Sequence, residues 1–226
     1  MTILERLRGG LIVSCQADAD SLLNTPDVIA LFARVAVVCG AAGVRVEGIG
    51  RLRAVRDAVD APLIGILKRA HPGFEPYITS TTGEVESVLT TGADVVAFDA
   101  TLRPHPEGAA AATLVAAIHA GGALAMADCS DERDVEAAAA AGAEIVATTL
   151  AGYTPETHGR QLPALDLTAR AARLHPFVIC EGGIAEPGQV RAAFAAGASA
   201  VVVGTALTNL DARVRRFVAA ARDANR

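Results

Sequence analysis

The chain has 226 residues, a formal net charge of −5, 52% hydrophobic and 20% charged residues, and only 4% aromatic residues. That is enough apolar material for one large core, and a single catalytic domain over residues 1–226 is expected. The acidic balance and the shortage of stacking rings argue against a nucleic-acid partner. No stretch reaches the roughly 18 uninterrupted apolar residues that argue for a membrane span.

Residues 1–8 lack the long apolar core of a signal peptide, so a cytoplasmic protein is expected. Thr2 to Arg8 predicts a short extra helix. Leu11 to Cys15 reads as a buried strand. Thr25-Pro26 offers an N-cap followed by proline at the first helical position, and predicts a helix over Pro26 to Ala42. Leu63 to Leu67 is the next apolar run between repeat members. It ends at Lys68-Arg69, and the longest loop after a strand follows, Arg69 to Thr82, poised to close over a ligand. Thr81-x-x-Glu84 matches a capping box ahead of a helix over Glu84 to Thr91. Further strands are predicted at Leu124 to Ala127 and Phe177 to Cys180, and further helices over Asp131 to Ala141 and Glu186 to Ala196.

One pattern recurs through this order. Gly43, Gly92, Gly142 and Gly197 each follow an Ala-rich amphipathic run and precede a short apolar run. Each reads as a helix C-terminal glycine followed by a strand buried on both faces. These four strands alternate with the four above. Eight strands, one per roughly 28 residues, with a quarter-repeat near 50 residues, predict a single closed (β/α)8 TIM barrel in the α/β class. The short N-terminal helix is expected over its N-terminal end. The competing doubly wound sheet usually carries a glycine-rich turn after its first strand, and Ser14-Cys15-Gln16-Ala17 is no such turn.

Chemistry in such barrels sits at the C-terminal strand ends. In order these are Gln16, Glu47, Lys68, Asp99, Asp128, Thr148 with Thr149, Glu181, and Gly204 with Thr205. Arg45 lies two residues before Glu47, on the same side of its strand. Lys68 is the only lysine; the other 19 cations are arginines. Arginine cannot be deprotonated in a protein, whereas a buried ammonium can be pushed toward neutrality. A lone lysine at a strand end therefore points to a neutral amine acting as base or Schiff-base former. The plainer alternative is a drift from Lys to Arg that spared one position. Glu181 is the best-placed second acid or base, Asp128 an orienting group, and Arg45 an oxyanion donor or a like charge lowering the Lys68 pKa. Gly182, Gly183, Gly204 and Thr205, in the turns after strands seven and eight, form the expected phosphate site.

The five histidines, His71, His105, His119, His158 and His175, share no metal-ligand spacing, so no metal is expected. Cys15, Cys39, Cys129 and Cys180 read as small buried side chains in a reducing compartment.

At these residues the chain resembles the N-acetylmannosamine-6-phosphate 2-epimerase family. The resemblance is carried by Gly10-Leu11-Ile12-Val13-Ser14-Cys15-Gln16, Arg45-Val46-Glu47-Gly48, Ile64-Gly65-Ile66-Leu67-Lys68-Arg69, Met126-Ala127-Asp128-Cys129-Ser130 and Thr148-Thr149-Leu150-Ala151-Gly152-Tyr153-Thr154. It continues through Cys180-Glu181-Gly182 and Gly204-Thr205-Ala206-Leu207-Thr208, across essentially the whole chain. It implies interconversion of N-acetylmannosamine 6-phosphate and N-acetylglucosamine 6-phosphate in sialic acid and amino-sugar catabolism. It implies Lys68 as the acid/base at C2 and Glu181 as the second catalytic residue. Gln16, Arg45 and Asp128 match the sugar-contacting positions, and Thr148 and Tyr153 join the substrate set. Gly182, Gly183, Gly204 and Thr205 match the phosphate end, with no metal or organic cofactor. The chain departs from the family pattern at Asn209, where an arginine is usual, at Ala70, where an acid is usual, and at Ala185-Glu186-Pro187, where Thr-Pro-Glu is usual. Arg213 is the expected substitute for the missing arginine. The expected partner is a small amino-sugar phosphate. The Val214 to Ala221 helix offers an apolar face for its own barrel or for a partner, and a homodimer is expected by analogy. The rival functions are a Schiff-base aldolase on a sugar phosphate and a non-catalytic sugar-phosphate sensor.

Overall fold

The computed structural model describes residues 1–223, so the last three residues of the expected domain lie outside the described residues. Eight parallel strands follow one another in chain order around a closed barrel. They are β1 Leu11–Cys15, β2 Gly43–Glu47, β3 Leu63–Ile66, β4 Val95–Asp99, β5 Leu124–Asp128, β6 Ile145–Ala147, β7 Val178–Glu181 and β8 Ala200–Val203. Closure is made by β8 on β1, in register from Leu11↔Val201 to Val13↔Val203, which rules out the open sheet. The helices are α1 Ile3–Leu7, α2 Pro26–Val38, α3 Ile49–Ala58, α4 Thr82–Leu89, α5 Ala111–Ala120, α6 Glu132–Ala140, α7 Leu165–Leu174, α8 Pro187–Ala195, α9 Thr205–Thr208 and α10 Leu210–Asp223. The architecture is that of a TIM barrel.

Strand alternation sorts the core into two layers. Ile12, Ile64, Ile66, Met126, Ile145, Ile179 and Val202 fill the barrel interior. Val13, Cys15, Val44, Val46, Val96, Ala127 and Val146 face the surrounding helices. The short N-terminal helix is present, closed by a Thr2–Glu5 capping box, and its Leu7 joins the interior layer at the barrel's N-terminal end. A Cβ on Gly43 would lie 2.7 Å from Leu7 Cδ2. Gly43 is therefore the first residue of β2, kept small by Leu7, and not a helix-terminal glycine. That role falls to Gly40, which has φ +95° and ends α2 at Val38, four residues before the expected limit.

The 50-residue repeat is visible as repeated hydrogen bonds. Two residues after each helix-ending glycine, Asp94, Glu144 and Ser199 each accept the N–H of a residue at the start of the preceding strand, namely Leu63 at 2.9 Å, Ala125 at 2.9 Å and Val178 at 3.3 Å. The Thr81–Glu84 capping box is half formed. Thr81 caps the Glu84 N–H, but the Glu84 carboxylate reaches past it to the Ser80 N–H at 2.7 Å and to His71 at 2.9 Å. The loop after β3 is built into the barrel mouth. Ile78 bridges Lys68 in antiparallel fashion, and its carbonyl accepts the Asp99 N–H at 2.8 Å, so the return limb fills the gap between β3 and β4. Three cysteines are buried, and burial pushes the Cys15 thiol up to about 12. Cys39 is exposed at the end of α2, contrary to expectation, because it stands one residue before the Gly40 turn. On α10, Val214, Phe217 and Val218 remain exposed, Phe217 by 72%.

Candidate active site

The strand ends surround a cavity of about 870 Å³ at the C-terminal mouth. Inward alternation brings Arg45, Lys68 and Glu181 to its wall from β2, the end of β3 and β7. Arg45 is almost wholly enclosed and grips two carboxylates. It donates to both Asp128 oxygens, at 3.0 and 2.6 Å, and to Glu181 Oε2 at 2.8 Å. Burial opposes the guanidinium charge, but the two carboxylates outweigh it and raise the Arg45 pKa. Among the described residues, Arg45 Nε is the only buried side-chain nitrogen or oxygen without a hydrogen-bond partner. Burial raises the Glu181 pKa, and Asp128 adds to the rise; Arg45, Thr149 and Lys68 pull the other way.

Lys68 sits opposite this network. Its Nζ donates to Gln16 Oε1 at 2.7 Å, and Gln16 in turn donates to Ser14 Oγ at 2.8 Å. The side chain is solvent-accessible through the cavity, yet protein atoms crowd it on the other sides. That crowding lowers its pKa below the ordinary lysine value, and the Arg45 charge lowers it further. Glu47, Glu181 and Asp128 act against the shift without reversing it.

Alternation decides which expected residues meet the cavity. Thr148 does not. It is buried on the outward side of β6, where its hydroxyl donates to the Glu181 carbonyl at 2.9 Å and accepts the Glu181 N–H at 3.1 Å. Thr149, next along, points inward and donates to Asp128 Oδ1 at 2.7 Å and Glu181 Oε2 at 3.1 Å. Asp128 lies beneath Arg45, outside the cavity wall, and orients the arginine. Asp99 is removed from the ring: its carboxylate accepts from Thr101 Oγ1 at 2.6 Å and Arg103 at 2.7 Å. Tyr153 lines the cavity as expected. Tyr77, on the hairpin after β3, also lines it; no sequence pattern singled it out, because an excursion of the chain carries it back.

Gly182, Gly183, Gly204 and Thr205 line one end of the same cavity. Gly182 and Gly183 have φ +109° and +68°, and a Cβ on Gly183 would lie 2.3 Å from Leu162 Cβ. Both φ values lie in the region that favours glycine. Arg213 lines this end beside Arg216, while Asn209 caps α10 through the Ala212 N–H at 2.9 Å and donates to Asp18 at 3.0 Å. Among the described residues no group of three or more His, Cys, Asp or Glu side chains is placed to hold a metal ion.

A TIM barrel with a depressed lysine facing a buried carboxyl, and with glycine turns after β7 and β8, belongs to the class of barrels built for proton transfer on small anionic substrates. The comparisons are more specific. The sequence model of the family described as "Putative N-acetylmannosamine-6-phosphate epimerase" matches residues 29–223. A protein of Synechococcus elongatus named "Putative N-acetylmannosamine-6-phosphate 2-epimerase" is 47% identical over 221 residues, covering 96% of this chain and 95% of its own. One of the same name from Escherichia coli O157:H7 is 44% identical over 204 residues, covering 90% and 87%. The solved N-acetylmannosamine-6-phosphate 2-epimerase from Clostridium perfringens superposes with a TM-score of 0.93 at 36% identity, covering 96% of each chain. The chain belongs to the N-acetylmannosamine-6-phosphate epimerase family.

Proposed function

We propose that this protein is an isomerase that interconverts N-acetylmannosamine 6-phosphate and N-acetylglucosamine 6-phosphate by moving a proton at C2, within amino-sugar and sialic acid catabolism. The observation that carries this reading is the opposition of Lys68 and Glu181 across one cavity, in a chain of this family. The C1 aldehyde of the open-chain sugar acidifies the C2 proton. Neutral Lys68 Nζ removes that proton, and the electron pair moves through C1 onto O1. Arg45 lines the cavity, and its positive charge stabilises that oxyanion. Reprotonation from the opposite face, by Glu181 or by a substrate hydroxyl that Glu181 orients, inverts C2. A raised Glu181 pKa suits a group that must hold a proton part of the time.

Gln16 holds the lysine ammonium after each proton transfer, and Tyr153 and Thr149 complete the sugar wall. Gly182, Gly183, Gly204, Thr205 and Arg213 take the 6-phosphate. This remote charge fixes the reacting carbon between the two groups. The reading includes a single catalytic domain, a cytoplasmic location and a homodimer. The last rests on the uncovered Val214, Phe217 and Val218 face of α10. Among the described residues no helix is long and apolar enough to cross a membrane.

The test is C2 proton exchange in deuterated water with either 6-phosphate. Exchange and epimerisation are expected in the natural protein and absent in Lys68→Ala and Lys68→Arg; turnover retained in either variant sinks the assignment. Borohydride with substrate separates the aldolase chemistry, since only a Schiff base is trapped on Lys68. Phosphate binding without exchange would mark a sensor.

A further inference from the structure

We propose that Arg51 is a positioning residue for the reaction: it neutralises Glu47, so that the carboxylate nearest the Lys68 backbone does not hold the lysine in its charged form. The inference rests on the reading of Lys68 as the base.

Arg51 stands at an electrostatically wrong place. It is the third residue of α3, where the helix dipole disfavours a cation. The same position holds Glu5 in α1, Glu84 in α4, Asp134 in α6 and neutral Gln189 in α8. Among the described helices Arg51 is the only cation there. Its side chain folds back out of the helix. Nε donates to the Glu47 carbonyl at 2.7 Å, and Nη2 pairs with Glu47 Oε2. The guanidinium folds over Gly48, whose φ of +89° is a backbone conformation that favours glycine. Both partners are half-buried, which weakens solvent screening between them.

Glu47 ends β2 in register with Ile66, and its Oε1 lies 3.5 Å from the Lys68 N–H. The charged groups that act on Lys68 are Arg45 and Glu47 from β2, Asp128 from β5 and Glu181 from β7; neutral Gln16 follows β1. Tyr77 faces the cavity from the hairpin. Arg45 already pairs with both Asp128 and Glu181. Glu47 is the carboxylate with the largest upward pull on the lysine, and Arg51 is its counter-ion. Three acids around the base thus share two arginines: Arg45 serves Asp128 and Glu181, and Arg51 serves Glu47 alone.

Because Lys68 is the only lysine, selective ¹³Cε-lysine labelling of the full chain reports its titration as a single side-chain signal, without using activity. Arg51→Gln is expected to raise the Lys68 midpoint by about half a pH unit to one unit, and Glu47→Gln to lower it. In the Glu47→Gln background, Arg51→Gln is expected to shift it by less than half as much. The acid limb of kcat/KM is expected to follow each shift. A midpoint in Arg51→Gln within about 0.2 unit of the natural protein overturns the proposal, as does an equal shift with and without the Glu47 carboxylate. If Arg51→Gln fails to fold, an unmoved midpoint in Glu47→Gln overturns it alone. Midpoints that move while the acid limb stays put refute Lys68 as the base and leave the Glu47–Arg51 device standing.

Discussion

The two sides of the barrel mouth meet the same need with different electrostatics. At the entrance to α6, Asp134 accepts the Ser130 N–H at 2.9 Å and the Asp131 N–H at 3.2 Å; at the entrance to α4, Glu84 accepts the Ser80 N–H at 2.7 Å. Both carboxylates are almost fully buried, and each places a negative charge at the positive end of its helix. Across the mouth, the entrance to α8 is tied the same way by Gln189, whose Oε1 accepts the Ala185 and Glu186 N–H groups at 2.7 and 3.0 Å. A neutral amide ties the turn here, so the third residue of α8 adds no charge beside the Gly182–Gly183 turn, and the acid at this entrance is the N-cap, Glu186. The third helical position is charged at α4 and α6 and neutral at α8, on the side where the proposed phosphate site lies.

The largest effect is expected inside the mouth, at Glu181, which ends β7. Glu181→Gln keeps the shape and one acceptor for Arg45 but removes the titrating group. A fall in kcat of about 10² to 10⁴ is expected in both directions, with KM changed far less; steady-state assays with each 6-phosphate read it. A smaller effect comes from making the two sides alike. Gln189→Glu gives α8 the charge that Asp134 gives α6. It is expected to raise KM for either 6-phosphate about two- to five-fold, the effect shrinking as salt is added. The reverse exchange has the smallest effect on catalysis. Asp134→Asn weakens charge-assisted bonds to Ser130 and Asp131 and is expected to cost about 1–2 kcal/mol in denaturant unfolding, with kcat/KM within two-fold. A larger loss of activity than of stability at Asp134 would break the division.

Much of the fold is legible locally. The apolar runs that become strands and the Ala-rich runs that become helices carry their own periodicity, and Gly92, Gly142 and Gly197 end their helices with positive φ. Gly43 misleads because its neighbour Leu7 arrives from a different element. At the site, Lys68 stands out as the only lysine beside 19 arginines, and the structure places it on the cavity wall. Glu181, Gln16 and Arg45 follow from the order of strand ends. Thr148 and Thr149 are adjacent and chemically identical, and nothing local separates them.

What the sequence by itself determined is therefore the set of strands and helices and the residue types delivered to the mouth, since both are properties of short stretches. What only the tertiary structure decided is which of those residues share a contact. Arg45 finds Asp128 83 positions away and Glu181 136 positions away, and closure of β8 on β1 sets which side of each strand faces inward. Thr149 then joins the cavity network while Thr148 stitches β6 to β7, and Asp99 closes on Thr101 and Arg103. A polar side chain's role is set by the partners and the burial around it, and the closed barrel supplies both.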